Sequence, residues 1–318
     1  MTRLAMLRPA LQRVSIDGAA DAYDALARDY LHYADGGEPL ADFSSRYAFA
    51  DREVWARIDR ALVDFHAAGN SAIRILDIGC GPGTWLIRAC RRAIMLGFRR
   101  VEASGFDVSG ELIALARAAA AEAAMPGIEL CFNVADLQTS LALQADHSVD
   151  LTLCLYGVLN HLPASAHQAA ARDMARATAG QLIATVRTVG STPSIYVTGI
   201  EEARGYHRDP TRDRLEIDLK DGRHIEFDFH LFTAAEFRGL FEPRLRIDEL
   251  IGLDLFHTRF SRDPDWHAES GPDDAFESRL IGLERLCGTD PGMINHAAHI
   301  LLCASRTTPD GAGAEAEA

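Results

Sequence analysis

The chain has 318 residues, 48% hydrophobic and 25% charged, with a formal net charge of −14. That balance supplies an ample core for one large domain or a core with a cap. It argues against broad phosphate-backbone binding, which calls for Lys/Arg patches, so no nucleic-acid partner is expected.

Taken along the chain, residues 1–13 mix arginines with leucines and lack the uninterrupted apolar core of a signal peptide. No run approaches the roughly 18 apolar residues that span a bilayer, so the expectation is a cytoplasmic protein with no membrane partner. Residues 18–68 read as helical. Tyr23, Leu26, Tyr30 and Tyr33 fall on one side, and Val54, Ile58, Leu62 and Phe65 are spaced for another. Residues 74–85, Arg-Ile-Leu-Asp-Ile-Gly-Cys-Gly-Pro-Gly-Thr-Trp, are a buried strand that runs into a turn with glycine at 79, 81 and 83. Glycines there let backbone N–H groups approach a ligand with no Cβ in the way.

A helix carrying Leu86, Cys90, Ala93 and Ile94 follows and ends at Gly97. A second strand spans 101–107. Ser109 caps an alanine-rich helix stopped by Met125-Pro126-Gly127. Strands at 128–134 and 150–156 come next, then a helix from Pro163 to near Gly180 and a fifth strand over 181–187. The alternating residues 214–230 around Asp221-Gly222 read as a β-hairpin. Thr233-Ala-Ala-Glu236 has capping-box spacing. A strand over 245–255, a polar loop over 261–273, a helix over 276–286 and a last strand over 299–304 complete the pattern.

Strands alternating with helices imply an α/β fold with a mostly parallel sheet covered on both faces. Ligands then lie at the carboxyl ends of the strands, where Asp77, Asp107, Asp136, Tyr156 and Arg187 fall. Asp77 puts a carboxylate beside the glycine turn, which repels phosphate and attracts an ammonium or sulfonium. Asp107 is placed for ribose hydroxyls. Asp136 is placed for the adenine amino group, with Leu137 alongside for the ring. Each also has the plain reading of a helix cap; the ordered set with the glycine turn points to a nucleoside with a cationic tail.

These residues carry a family resemblance. Ile-Leu-Asp-Ile-Gly-Cys-Gly-Pro-Gly-Thr resembles the glycine-rich signature of class I S-adenosylmethionine-dependent methyltransferases. Gly-Phe-Asp-Val-Ser, Val-Ala-Asp-Leu and Val149-Asp-Leu-Thr-Leu-Cys-Leu resemble the three signatures after it. The resemblance covers roughly residues 70–190. It implies a three-layer Rossmann-like fold with a seven-stranded sheet whose last strand is reversed, here 299–305. It implies S-adenosyl-L-methionine as donor, with Gly79, Cys80, Gly81 and Gly83 around its amino-acid moiety. Asp107 and Val108 would then lie at its ribose, and Asp136 and Leu137 at its adenine.

A narrower similarity, to glycine N-methyltransferase-like enzymes, rests on Leu153-Cys-Leu-Tyr-Gly-Val-Leu-Asn-His-Leu-Pro163. It implies that Arg187 binds a substrate carboxylate and that Arg46 helps hold the donor's carboxylate. The expected division is a helical cap over 1–68, a donor-binding core over 69–189 and an inserted hairpin and cap over 190–245. The end of the core sheet covers 246–306 and a disordered tail 307–318.

Tyr156, His161 and Arg187 are the candidate catalytic residues, with Asn160, Tyr206, His207 and His230 as further polar groups at the site. His161 reads either as a base or as a structural or donor-pocket contact, Arg187 as a substrate ligand or a structural ion pair, and His230 as a solvent-facing strand end. Tyr206-His207 reads as loop. The six cysteines contain no CxxC pair and read as reduced thiols. His296 and His299 have no acidic or cysteine cluster beside them, and no acidic pair follows the fourth strand, so no metal is expected.

The function implied is methyl transfer to a small molecule, at nitrogen before oxygen. Another reaction of the same donor and a non-catalytic donor-binding module are the rivals. A nicotinamide dehydrogenase would want glycine where Thr84 stands.

Overall fold

The computed structural model describes residues 14–27, 30, 43, 48–123, 126–191, 203–209, 211–257 and 274–306. Arg46, Tyr33 and the 261–273 and 307–318 segments lie outside them. So do the side chains of residues 14–17, Ala203, Tyr206 and Asp274.

Seven strands form the main sheet: β2 (Ala72–Ile78), β3 (Arg100–Asp107), β4 (Ile128–Val134), β5 (Val149–Cys154), β6 (Thr178–Arg187), β10 (Arg246–Leu253) and β11 (His299–Ser305). Their order is β10-β11-β6-β5-β2-β3-β4. β11 runs antiparallel to both neighbours, and the other pairings are parallel. The reversed strand therefore places its first residue, His299, at the carboxyl edge of the sheet, beside the last residue of β6.

Helices cover both faces. On one, α2 (Ala48–Ala67) and α3 (Thr84–Leu96) bury Val54, Ile58, Leu62, Leu86 and Cys90 against Ile73, Ile75 and Val101, with α4 (Gly110–Glu122) alongside. On the other, α5 (Leu137–Ala142), α6 (Ala164–Ala177) and α7 (Ala234–Phe241) pack Leu141, Met174, Phe237 and Phe241 on Leu76, Ile78 and Leu182. Caps follow the sequence logic: Ser109 Oγ accepts from Leu112 N, and Gly97 ends α3 in the left-handed region. α8 (Asp274–Gly288) lies against β10.

A second sheet stands apart, with order β1-β9-β8-β7: β1 (Val14–Asp17), β7 (Ala203–Asp209), β8 (Arg214–Leu219) and β9 (Arg223–Asp228). β8 and β9 are the expected hairpin. Two of its strands are not legible in the sequence. β1 has only four residues, and it pairs parallel to β9, a partner some 200 positions away. β7 is an edge strand, Ala-Arg-Gly-Tyr-His-Arg-Asp, with polar residues on both faces, so Tyr206-His207 lies in a strand rather than a loop. The helix α1 (Ala19–Leu26) packs Ala22 and Leu26 on Leu215, Ile217 and Phe227 of this sheet.

One boundary also moves. α6 stops at Ala177 and β6 starts at Thr178, so Gly180 is inside the strand rather than at a helix end. A Cβ on Gly180 would sit 2.3 Å from the Asp150 carbonyl oxygen; the glycine serves close approach of strands.

Candidate functional site

The β2–α3 turn is built by three glycines with positive φ, at +66° (Gly79), +52° (Gly81) and +83° (Gly83). They do different work. A Cβ on Gly79 would lie 2.3 Å from Val158 Cγ2, and one on Gly83 would lie 2.7 Å from Phe132 Cζ. Both glycines let neighbouring elements close up. A Cβ on Gly81 would meet nothing within 4 Å, so the middle glycine faces open space.

Asp107 ties this turn to the next one. Its Oδ2 accepts from Gly81 N at 3.0 Å and its Oδ1 from Ser109 N at 2.9 Å. A carboxylate offers about four lone-pair directions, so acceptor capacity remains for ligand hydroxyls. Burial pushes the Asp107 pKa up, against the amide bonds that lower it. Asp77 is 2% exposed, and its Oδ2 has no hydrogen-bond partner among the described residues. Burial, with Asp107 nearby, drives its pKa well above the usual carboxylate range. An arriving cation would supply the missing partner and favour the ionised form.

Cys80 is buried, with its thiol pushed up by burial and by Asp77 and Asp107, and Val108 is exposed at the next turn. Asp136 is exposed and is the N-cap of α5, with Gln138 N and Thr139 N both donating to Oδ1. The capping reading of Asp136 is therefore realised, and it leaves Oδ2 out of these bonds. Leu137 is buried in the core with Phe106 and Leu141.

The second sheet reaches this site through α1. Asp24 Oδ1 accepts from Ser109 Oγ at 2.5 Å and Glu111 N at 3.1 Å, pinning α1 on the β3–α4 turn. Burial and the nearby Asp107 carboxylate push the Tyr23 phenol above its ordinary pKa. Tyr23 OH bonds His161 Nε2 at 2.8 Å. His161, on a 3-10 turn at Val158–His161, also lies against the Phe227 and Phe229 rings, 5.1 and 5.3 Å away.

Burial lowers the His161 pKa to about 4. A folded-state value below the unfolded one means the unfolded chain takes up the proton first. Stability is then complete above about pH 6.5 and is lost as pH falls towards 4, by about 3 kcal/mol. Urea denaturation at pH 7 and pH 5 should show a drop in stability that His161→Phe reduces. An equal drop in both proteins would contradict the assignment.

The other rim of the carboxyl edge carries a second polar group. Arg187, Asp254 and His299 come from the ends of β6, β10 and β11, with His299 in register with both Arg187 and Leu253. Arg187 is 7% exposed, and its Nη1 lies 3.2 Å from His299 Nε2. Guanidinium only donates, so Nε2 accepts and the proton sits on Nδ1, 3.9 Å from Asp254 Oδ2.

Asp254 is 0% exposed, has φ +60°, and neither of its carboxylate oxygens has a hydrogen-bond partner among the described residues. Burial, with Glu284 and Asp51 nearby, raises its pKa well above the usual range. Asn160 holds the Arg187 backbone from both sides: Oδ1 accepts from Arg187 N at 3.0 Å, and Nδ2 donates to Arg187 O at 3.1 Å.

Between the two rims stands an aromatic wall. Trp85 stacks between Phe43 (5.6 Å) and Tyr156 (5.8 Å), and Tyr156 meets His299 edge-on at 5.5 Å. Tyr156 has φ +57°, and its hydroxyl donates to Asp51 of α2.

Asp51, Asp254 and His299 were not singled out for this site from sequence. Asp254 carried a usable signal, a carboxylate closing the apolar run Ile251-Gly-Leu-Asp-Leu255, the same rule that exposed Asp77. His207 is exposed on β7. His230, expected to face solvent, instead bonds Asp213 and Glu236.

Residues 75–180 match the family described as "Methyltransferase domain". An indolepyruvate C-methyltransferase of Streptomyces griseus is 30% identical over 104 residues, 33% of this chain. The chain spans 29% of the length of that curated relative. Among solved structures, magnesium protoporphyrin IX methyltransferase of Synechocystis PCC 6803 with bound S-adenosylmethionine is similar at 15% identity. That match covers 91% of this chain and 95% of the other, with a TM-score of 0.44. An S-adenosylmethionine-dependent methyltransferase of Methanosarcina mazei is similar at 19% identity, over 76% and 96% of the two chains, with a TM-score of 0.43. Over residues 75–180 the chain therefore carries a methyltransferase domain.

Proposed function

We propose that this protein methylates the nitrogen of a small molecule that bears a carboxylate. The observation that carries the reading is the placing of Arg187 and the fully buried Asp254 on either side of His299, at one rim of the site. An arginine suits the carboxylate of the acceptor, and a lone carboxylate beside it suits its amino group. Together they complement an amino-acid-like zwitterion.

When bound, S-adenosylmethionine supplies an electrophilic methyl group on a sulfonium. Asp107 would accept the ribose hydroxyls and Asp77 would face the cationic tail. Gly79, Cys80 and Gly81 would line that tail, and Val108, Asp136 and Leu137 the adenosine. Arg46 remains a candidate for the donor's carboxylate. The Trp85–Tyr156 wall suits a cationic methyl, which aromatic faces attract. On the acceptor side the chain must orient the nitrogen, take up its proton and exclude water. Asp254 is the proton acceptor in this reading, and Tyr156, held by Asp51, positions the reacting groups. His161 supports the wall of the pocket. The second sheet with α1 acts as the cap.

A second reading, transfer to carbon, is favoured by the name of the Streptomyces griseus relative. The same Arg187 would serve it, with Asp254 as base. The net charge of −14 favours a small-molecule acceptor over nucleic acid. Six free cysteines favour a reducing, cytoplasmic setting.

The test is incubation with methyl-labelled donor and pools of amino acids and 2-oxo acids, with the labelled product identified by mass spectrometry. N-methyl amino-acid product is expected, and product from the oxo-acid pool alone would select the carbon reading. No labelled product from any carboxylate-bearing compound would overturn both.

A further inference from the structure

We propose that His167, His230 and Glu236 form a zinc-type metal site, remote in its chemistry from methyl transfer, that clamps the second sheet to the main one. One ligand atom from each residue lies within 4.8 Å of the other two. Each comes from a different place: His167 from α6, His230 from the exit of β9, and Glu236 from the first turn of α7.

The rings are held as metal-binding histidines are held. His230 Nδ1 lies 2.7 Å from Asp213 Oδ2, so the carboxylate fixes the proton on Nδ1 and leaves Nε2 for a metal. That Nε2 lies 2.8 Å from Glu236 Oε1, a contact between two ligands that a cation would bridge. His167 Nε2 lies 3.1 Å from the Leu159 carbonyl oxygen, which only accepts; the proton belongs on Nε2 and the lone pair on Nδ1. The ring of Phe232 lies 4.8 Å from His167 and 4.6 Å from His230, an apolar wall on one side. Glu236 is exposed, which leaves a coordination position for water.

Two imidazoles and one carboxylate suit zinc, which takes nitrogen and oxygen ligands in a tetrahedral set. The plain alternative is a protonated His230 bridging Asp213 and Glu236, which needs no metal.

The sequence hides the site. His167 is 63 positions from His230, and the absence of cysteine leaves no spacing motif. The expectation of no metal rested on the cysteine spacing, on Tyr156-Gly157 at the strand-four exit and on His296-His299, none of which is a ligand here.

The test uses the full chain stripped with chelator and titrated with zinc by calorimetry and with cobalt by absorption. Saturable 1:1 zinc binding is expected, with visible cobalt bands of tetrahedral type and a raised melting temperature. Glu236→Gln, at an exposed position that leaves the fold intact, should weaken zinc binding at least tenfold, and Asp213→Asn by roughly 10- to 100-fold through the orientation of His230. His230→Ala should abolish the cobalt bands. No saturable zinc binding, or zinc affinity unchanged in both Glu236→Gln and His230→Ala, would overturn the proposal. S-adenosylmethionine affinity, measured alongside, reports separately on the donor site.

Discussion

Replacing Asp107 with alanine is expected to weaken S-adenosylmethionine binding by about 100-fold or more. The carboxylate has two tasks that alanine abandons together. In the proposed complex it accepts ribose hydroxyls, and hydrogen bonds to a charged group contribute about 1.5–3 kcal/mol each. In the free protein it already holds the amides of Gly81 and Ser109. Without it, the one turn glycine that faces open space loses its anchor, and the donor would have to order the turn as it binds. Calorimetry at matched temperature measures the loss, with thermal unfolding to verify the fold. Unchanged affinity in a folded Asp107→Ala protein would remove the adenosine assignment.

Arg187→Met should lower kcat/KM for a carboxylate-bearing acceptor by about 1000-fold, or about 4 kcal/mol, while donor affinity stays within about threefold. The split is expected because Asn160 grips the backbone of residue 187 and not its side chain. Methionine keeps most of the volume, so β6 and the 3-10 turn stay joined. What is lost is the guanidinium beside His299 and Asp254. If donor affinity falls in step with turnover, Arg187 is a structural cation for this buried cluster and the carboxylate reading fails.

The turn proposed to take the donor was legible as a turn because its information is local. Strand, glycine turn and Asp77 lie within a dozen residues, and Asp107 repeats the same strand-end logic one unit later. At the proposed acceptor rim Tyr156 and Arg187 were legible as strand-end residues, but their partners Asp51, Asp254 and His299 were not, because these residues meet only through the sheet. Asp51 reaches Tyr156 across 105 positions and His299 reaches Arg187 across 112. The reversed last strand performs the second meeting by turning its first residue to the functional edge.

Asp136 shows how a capping residue and a ligand residue look alike in sequence, since one strand-end carboxylate can do both tasks with different oxygens. In the second sheet, the hairpin announced itself through Asp221-Gly222. Its outer strands did not, since β1 is too short and β7 too polar for a period-2 pattern. Yet β1 leads into α1, and α1 brings Asp24 to the β3–α4 turn and Tyr23 to His161.

The most direct test of the central claim is calorimetric titration of the full chain with S-adenosylmethionine across pH. One site per chain is expected, with affinity that strengthens as pH rises through the raised pKa of Asp77, because the cation binds the ionised carboxylate and displaces its proton. Absence of binding at about 1 mM donor, the level where binding free energy is only about −4 kcal/mol, would contradict the account.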